Sequence, residues 1–147
     1  MQRAKGSRKG PRTSLHQREG AINRWAVTAY VNAEVVHRQI YFEMEGELTE
    51  PFAATSTFSI LAFEDQSVTA SACSAGNVGS FLDIKPKLHG VVPLSREEFS
   101  LLMLLATSGN LKGCSFSFRA ASRRKAEIVS FSFGSELPSV SDEASEV

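Results

Sequence analysis

One segment in the second half of the chain carries a start signal, an apolar body and a stop signal, which together predict an α-helix. Ser95 and Glu98 have the spacing of a capping box, in which each side chain accepts a hydrogen bond from the other residue's backbone N–H. Leu94 and Phe99 occupy the two positions of a hydrophobic staple. A glycine after the apolar body supplies a residue that tolerates the left-handed conformation of a helix end. The sequence therefore predicts one helix over about residues 96–108, which is too short to span a bilayer.

The predicted helix is apolar on more of its circumference than one buried face requires. Leu101, Leu104 and Leu105 widen a face that is already formed by residues at i, i+3, i+4 and i+7 spacing. A helix of this kind is usually buried on most sides or meets a partner on its second face. We therefore expect a cover for these leucines, either the sheet itself or a second subunit.

Most of the remaining chain has the pattern of β-strands. Between Val35 and Glu45, apolar and polar residues alternate as expected of a strand with one buried and one solvated face. Residues 113–120 and 127–134 alternate in the same way around a short polar connection, which predicts a hairpin. Further strand candidates lie at residues 25–31, 57–64, 78–84 and 88–92.

The order of these elements predicts the fold class α+β, with a mainly antiparallel, curved β-sheet of about five or six strands packed on one central helix. A helix about 10 Å wide covers only part of such a sheet, because strands lie about 4.8 Å apart. The sheet is therefore expected to curl around the helix as a partial barrel, or to be covered by a second layer. A single domain is predicted over residues 21–135, between a disordered basic arm at 1–20 and a disordered acidic tail at 136–147.

The 147 residues carry a net charge of zero, but the charges are unevenly distributed. Residues 1–24 hold seven Lys or Arg and one Glu, whereas residues 25–65 hold seven acids and one Arg. Residues 135–147 hold four acids and no base. Charged tails of this kind are usually solvated. A basic arm of this composition also fits contact with a nucleic-acid backbone, and both interpretations stay open.

The sequence lacks the motifs of several enzyme classes. It contains no G-x-x-x-x-G-K-[ST], no G-x-G-x-x-G, no H-E-x-x-H and no G-x-S-x-G. Cys73 and Cys114 do not suggest a zinc site, because no C-x-x-C is present. No apolar run follows the basic N-terminus, as a signal peptide requires. We therefore expect no catalytic residues, no metal and no cofactor, and a cytoplasmic protein with free thiols.

Two groups of polar residues are candidates for binding. His37 and Tyr41 share the polar face of one predicted strand, where they could line a small-ligand pocket or transfer a proton. Any sheet with one solvated face shows similar alternation, so a structural interpretation also stands. The connection before the last strand carries four cations, which could contact phosphates or form a solvated turn: Arg119, Arg123, Arg124 and Lys125.

Three functions are compatible with these features. The leading hypothesis is a non-enzymatic interaction or structural domain that associates with itself, as a possible homodimer, or with another protein. It rests on the wide apolar helix and on strands rich in phenylalanine. The second hypothesis is a nucleic-acid-binding module that uses the basic arm and the 119–125 connection. The third is a small-ligand pocket inside the curved sheet. No contact with a membrane is expected.

Overall fold

The computed structural model of this protein describes residues 14–68, 76–120 and 125–138. Within them the chain forms seven β-strands and one α-helix, and each strand segment predicted from sequence alternation overlaps one of these strands. The elements are, in chain order, β1 (Leu15–Asn32), β2 (His37–Phe52), β3 (Thr55–Glu64), β4 (Gly79–Asp83), β5 (Leu88–Leu94), α1 (Arg96–Thr107), β6 (Gly113–Ala120) and β7 (Ala126–Gly134).

The strands form a closed barrel in the order β1-β2-β3-β5-β4-β7-β6, and β6 pairs with β1 to close it. Neighbouring strands are antiparallel except for β3 and β5, which are parallel. The prediction of an α+β fold, with a curved sheet packed on a central helix, is therefore wrong. The sheet closes on itself, so its own strands enclose the core that the helix was expected to cover.

The segment that closes the barrel lies partly within the predicted disordered arm. Residues 15–21 of β1 pair with residues 113–119 of β6. The ring of His16 lies 5.5 Å from the ring of the buried Phe118, measured between centroids. Residues 15–20 read L-H-Q-R-E-G, and their low apolar content hides the strand from sequence patterns. The predictions for residues 1–13 and 139–147 lie outside the described residues.

Phenylalanine fills the interior of the barrel. Phe81 packs edge-to-face against Phe116 and Phe118, with ring centroids 5.2 Å apart in both pairs. Burial of one such side chain stabilises the fold by about 2–3 kcal/mol. Phenylalanine suits this interior because it carries no polar atom that would need a hydrogen-bond partner. Five rings are at most 1 % exposed: Phe42, Phe58, Phe81, Phe116 and Phe118.

The helix α1 begins with the predicted capping box. The hydroxyl of Ser95 accepts a hydrogen bond from the backbone N–H of Glu98 at 3.2 Å. The carboxylate of Glu98 accepts one from the backbone N–H of Ser95 at 2.8 Å. The helix follows β5 directly and contacts β3 and β5. It therefore lies across one end of the barrel, where these two strands finish side by side.

One face of α1 is buried, and part of its second face is open to solvent. Leu101 and Leu104 are 48 % and 62 % exposed, whereas Leu105 is partly buried and packs against the core. The cover that the sequence predicted for all three leucines is thus present for one of them. The fully buried helix residues are Phe99, Leu102 and Ala106.

The strand β2 continues through Gly46, where the sequence predicted its end. A Cβ atom at this position would stand 1.8 Å from the carbonyl oxygen of Ala21 and 2.8 Å from the ring of Phe58. The pairing of β1 with β2 shifts by one residue close by, between Ile22 and Arg24. A bulge of this kind bends a strand and increases its twist. Only glycine therefore fits where β1 and β2 approach each other in the barrel wall.

Candidate interaction surface

The two longest strands, β1 and β2, form a hairpin that extends beyond the part of the wall that β6 covers. β1 pairs with β2 as far as Asn32, but β6 on its other side reaches only to Ala21. The backbone N–H of Ile22 still donates to the carbonyl of Lys112 at 2.9 Å. Beyond it, no other strand of the described residues pairs with this side of β1. The second edge of β1 is therefore open from Arg24 onward.

This open edge carries an uncharged sequence of residues that favour strands. Residues 25–31 read W-A-V-T-A-Y-V. Trp25, Val27 and Val31 are 39 %, 40 % and 59 % exposed. Natural edge strands are commonly protected by charged side chains, by proline or by a covering segment. Residues 25–31 contain neither charge nor proline, so the edge has the features of a surface that pairs with another strand.

One face of the hairpin continues the apolar interior of the barrel. Val27 lies opposite Phe42, and Ala29 lies opposite Ile40. Directly opposite residues of an antiparallel pair lie on the same face of the sheet. Phe42 is buried, and Trp25 stacks on its ring with 5.4 Å between centroids. Ile40 is 47 % exposed, so the apolar face passes from the core to solvent along the hairpin.

A groove of about 700 Å³ lies between the hairpin, the end of β3 and the start of α1. Its volume is within the range of about 300–1,000 Å³ that is typical of small-molecule sites. The groove joins the apolar face of the hairpin to the helix, and it is the concave surface that the small-ligand hypothesis would use. Its lining includes Ala29, Val31, Arg38, Ile40, Phe63 and Phe99.

The opposite face of the hairpin carries the predicted ligand-binding pair, His37 and Tyr41. The structure brings them together, with 3.3 Å between His37 Nε2 and the Tyr41 hydroxyl oxygen. The rings of Tyr30 and His37 lie 5.6 Å apart, and Asn32 donates a hydrogen bond to the Tyr30 hydroxyl at 2.8 Å. His37 and Tyr41 are not among the residues that line the groove. Their role in ligand binding stays a prediction.

Two of the four predicted nucleic-acid residues, Arg119 and Lys125, lie at the opposite end of the barrel from α1. Arg119, near the end of β6, is paired with Leu15 at the start of β1. Lys125 immediately precedes β7. Arg123 and Arg124 lie outside the described residues. We call this end, where β1 begins and β6 finishes, the arm end, and we call the end that carries the β1–β2 hairpin and α1 the hairpin end.

The thiol of Cys114 is buried in the barrel wall between the two ends. Desolvation raises the pKa of this thiol to about 12, which disfavours the reactive thiolate. Cys114 therefore behaves as a small apolar core residue. Cys73 lies outside the described residues. Within residues 14–68, 76–120 and 125–138, no three His, Cys, Asp or Glu side chains cluster closely enough to hold a metal ion.

The sequence did not identify the open edge of β1 as a candidate site. Its local signal is the run of seven uncharged residues from Trp25 to Val31. Whether such a strand has a free edge depends on partners that are distant in the sequence, here Gly113 and the rest of β6. A pattern of neighbouring residues does not show where the pairing of β1 with β6 ends.

No family model, curated protein or solved structure matches this chain. In the described part of the chain, α1 is neither long enough nor apolar enough to cross a membrane. The function is therefore inferred from the surfaces at the two ends of the barrel.

Proposed function

We propose that this protein is an interaction domain that forms a homodimer through the open edge of β1. The observation that carries the proposal is an unpaired strand edge with an uncharged sequence over residues 25–31. The free N–H and C=O groups of an edge strand are satisfied when another strand pairs with them. Apolar side chains along the strand leave water at the same time, which favours association. The cytoplasmic setting predicted from the sequence is part of this proposal.

A second copy of the chain is the partner that best matches this edge. Antiparallel pairing of β1 with itself, around a twofold axis at Thr28, places Trp25 opposite Val31 and Val27 opposite Ala29. Apolar residues then face apolar residues, and no like charges meet between residues 25 and 31. Cross-strand pairs of aromatic and β-branched residues contribute about 0.2–1 kcal/mol each. The strand is therefore complementary to itself.

This pairing would also join the apolar faces of the two hairpins. A twofold axis perpendicular to the sheet keeps the inner faces of both copies on the same side. The exposed side chains of Val27, Val31 and Ile40 would then form one surface across the dimer. Leu101 and Leu104 lie at the same end of the barrel and are exposed as well.

Sedimentation equilibrium of the full-length chain tests the proposal. We expect wild type to dimerise at micromolar concentrations. Thr28→Lys should weaken the dimer at least tenfold, since two ammonium groups would face each other at the axis, where like charges cost about 1.4 kcal/mol or more. Thr49→Lys is the matched control, because Thr49 is an exposed threonine of β2 that lies beyond the residues paired with β1 and far from the open edge. It should leave the dimer unchanged.

A mixing experiment tests the twofold register directly. Thr28→Glu alone should also weaken the dimer, whereas an equimolar mixture of Thr28→Lys and Thr28→Glu should associate again as a heterodimer. Circular dichroism should show that each variant keeps the fold, since Thr28 is exposed. A wild-type chain that stays monomeric at hundreds of micromolar would contradict self-association. A Thr28→Lys chain that dimerises as tightly as wild type would contradict the proposed edge.

A further inference from the structure

A row of partly exposed aromatic side chains crosses the outer face of strands β1, β2 and β3. The rings of Tyr30 and His37 lie 5.6 Å apart, and those of Tyr41 and Phe63 lie 6.1 Å apart, measured between centroids. The contact of 3.3 Å between His37 Nε2 and the Tyr41 hydroxyl oxygen joins the two pairs. We call these four residues the aromatic row. Tyr30 and Phe63 also border the groove.

Strand pairing places the aromatic row on the side of the wall that faces away from the core. Tyr41 is paired with Phe63, and Tyr30 is paired with Gln39, which lies two positions before Tyr41. Phe42, the next residue of β2, is buried in the core. Because alternate residues of a strand point to opposite faces, the row faces solvent. Tyr30 is 45 % exposed, and the other three side chains are partly exposed.

A carboxylate lies beside the row without a cation of its own. Glu43 follows Tyr41 on the same face of β2, roughly 6–7 Å along the strand. It accepts a hydrogen bond from the hydroxyl of Ser59 at 2.8 Å, which holds the carboxylate without neutralising its charge. In the described part of the chain, two cations form ion pairs with Glu45 and none does so with Glu43. The charge of Glu43 is therefore open to a cationic ligand.

The strands that carry the row are acidic as well. Residues 25–65 hold seven acids and one Arg. That residue, Arg38, directly follows His37, so it lies on the other face of β2. Glu64 and Asp65 directly follow Phe63 at the end of β3. A surface of this charge attracts cations and repels phosphates.

We infer that the aromatic row binds an extended segment of another protein that carries arginine side chains. A guanidinium stacks on the face of an aromatic ring and also donates hydrogen bonds to a carboxylate, so it uses both features of this surface. Alternate side chains of an extended segment point the same way, roughly 6–7 Å apart, which resembles the spacing of the rings. The row lies within one chain, so the inference does not depend on the homodimer.

Fluorescence anisotropy of a labelled octapeptide, in which arginine alternates with glycine, tests this inference with the full-length protein. We expect binding that weakens with salt. The corresponding lysine peptide should bind about threefold or more weakly, because an ammonium group does not stack on a ring as a guanidinium does. Absence of binding to the arginine peptide at low salt would overturn the inference. Equal binding of the two peptides would overturn it too, because the rings would then play no part.

A variant with Tyr30→Leu and Tyr41→Leu tests the rings, since it keeps apolar side chains and removes two aromatic faces. It should bind the arginine peptide about fivefold or more weakly and lose the preference for arginine over lysine. Phe131→Leu with Phe133→Leu is the matched control, because these two rings of β7 also contact each other and are partly buried. Circular dichroism checks that both variants keep the fold. Equal losses of affinity in the two variants would contradict the inference.

Glu43→Gln tests the carboxylate, and its amide can still accept the hydrogen bond from Ser59. Affinity for the arginine peptide should fall about threefold. Glu127→Gln removes an exposed carboxylate from β7 and should have a smaller effect. Equal losses would overturn the inference, because binding would then follow total charge. Maltoheptaose, a neutral oligosaccharide, is the competing probe, and tighter binding of it than of the arginine peptide would overturn the assignment to a cationic segment.

Discussion

The two ends of the barrel use the same strand in opposite ways. At the arm end β1 pairs with β6 and carries charged and aromatic side chains, among them Arg18 and His16. At the hairpin end one edge of β1 pairs with no described strand, and the sequence from Trp25 to Val31 is uncharged. An 18-residue strand spans roughly 60 Å when extended. The barrel core needs only part of this length, so the remainder is free to form a surface.

This difference separates what stabilises the protein from what it presents to partners. The core rings, such as Phe81 and Phe116, lie between the two ends and are fully buried. Val31 and Leu104 at the hairpin end are more than half exposed, so changes there should leave the free energy of unfolding almost unaffected. We therefore expect that each end can be changed without affecting the other. Four measurements test this expectation.

The largest expected effect is a loss of stability caused by a change in the barrel wall between the two ends. Gly46→Ala should lower the free energy of unfolding by about 3 kcal/mol or more, because the added Cβ would overlap the carbonyl oxygen of Ala21. Urea denaturation measures the loss. Gly134→Ala is the control, since its Cβ would meet no atom within 4 Å. Dimerisation should also weaken in Gly46→Ala. A variant as stable as wild type would contradict the close approach of the strands.

Because Cys114 is buried in the barrel wall between the two ends, the free energy of unfolding should decrease at high pH. The pKa of Cys114 is about 12 in the folded protein and 9.0 ordinarily, so the folded state holds its proton more tightly. The stabilisation is complete below pH 9.0 and is lost as the pH rises toward about 12. At about pH 10.5 we expect a loss of roughly 2 kcal/mol relative to neutral pH.

Urea denaturation of wild type and Cys114→Ala at both pH values isolates this effect from the titration of lysine and tyrosine. The variant is less stable at neutral pH because it loses a buried sulfur, but it should lack the additional decrease at high pH. Equal decreases in both proteins would show that Cys114 is not the titrating group.

The capping box at the hairpin end provides a smaller effect. Ser95→Ala removes the acceptor of the Glu98 backbone N–H and should destabilise the protein by about 1 kcal/mol. Hydrogen exchange should become faster in the first turn of α1, whereas exchange at the arm end should not change. Ser108→Ala, at the exposed end of the helix, should cost less. A faster exchange around Arg119 in Ser95→Ala would show that the ends are coupled.

The last prediction is that a change at one end of the barrel has no effect at the other end. Arg119→Gln with Lys125→Gln should leave the dimer dissociation constant unchanged in sedimentation equilibrium. Arg119 and Lys125 lie at the opposite end of the barrel from Thr28. A twofold or larger change in the dimer dissociation constant would show that the two ends are linked.

Features that depend on neighbouring residues were predictable from the sequence. The helix start follows from Ser95 and Glu98, and the hairpin of β6 and β7 follows from alternating residues such as Phe116 and Phe131, which are paired in the structure. The closed barrel was not predictable in this way. It depends on the pairing of residues 15–21 with β6, in a segment whose polar side chains conceal its alternation.

The candidate surfaces were predictable to a similar extent. The sequence shows that residues 25–31 lack charge, and that Arg119 and Lys125 belong to a basic cluster. It does not show which strand edge stays open, because that depends on where β6 begins. Nor does it show the contact between Arg18 and the Phe52 ring at the arm end, because these residues are 34 positions apart and meet only in the folded barrel.

The pairing of Leu15 with Arg119, 104 positions apart, also sets an order of events during synthesis. The barrel cannot close until β6 has left the ribosome, roughly 5–20 s after β1 at about 5–20 residues per second. During that interval β1 has only β2 as a neighbour, and residues 25–31 are as open as they are in the finished protein. The proposed pairing through β1 would therefore be open to chains growing on adjacent ribosomes before either barrel has closed.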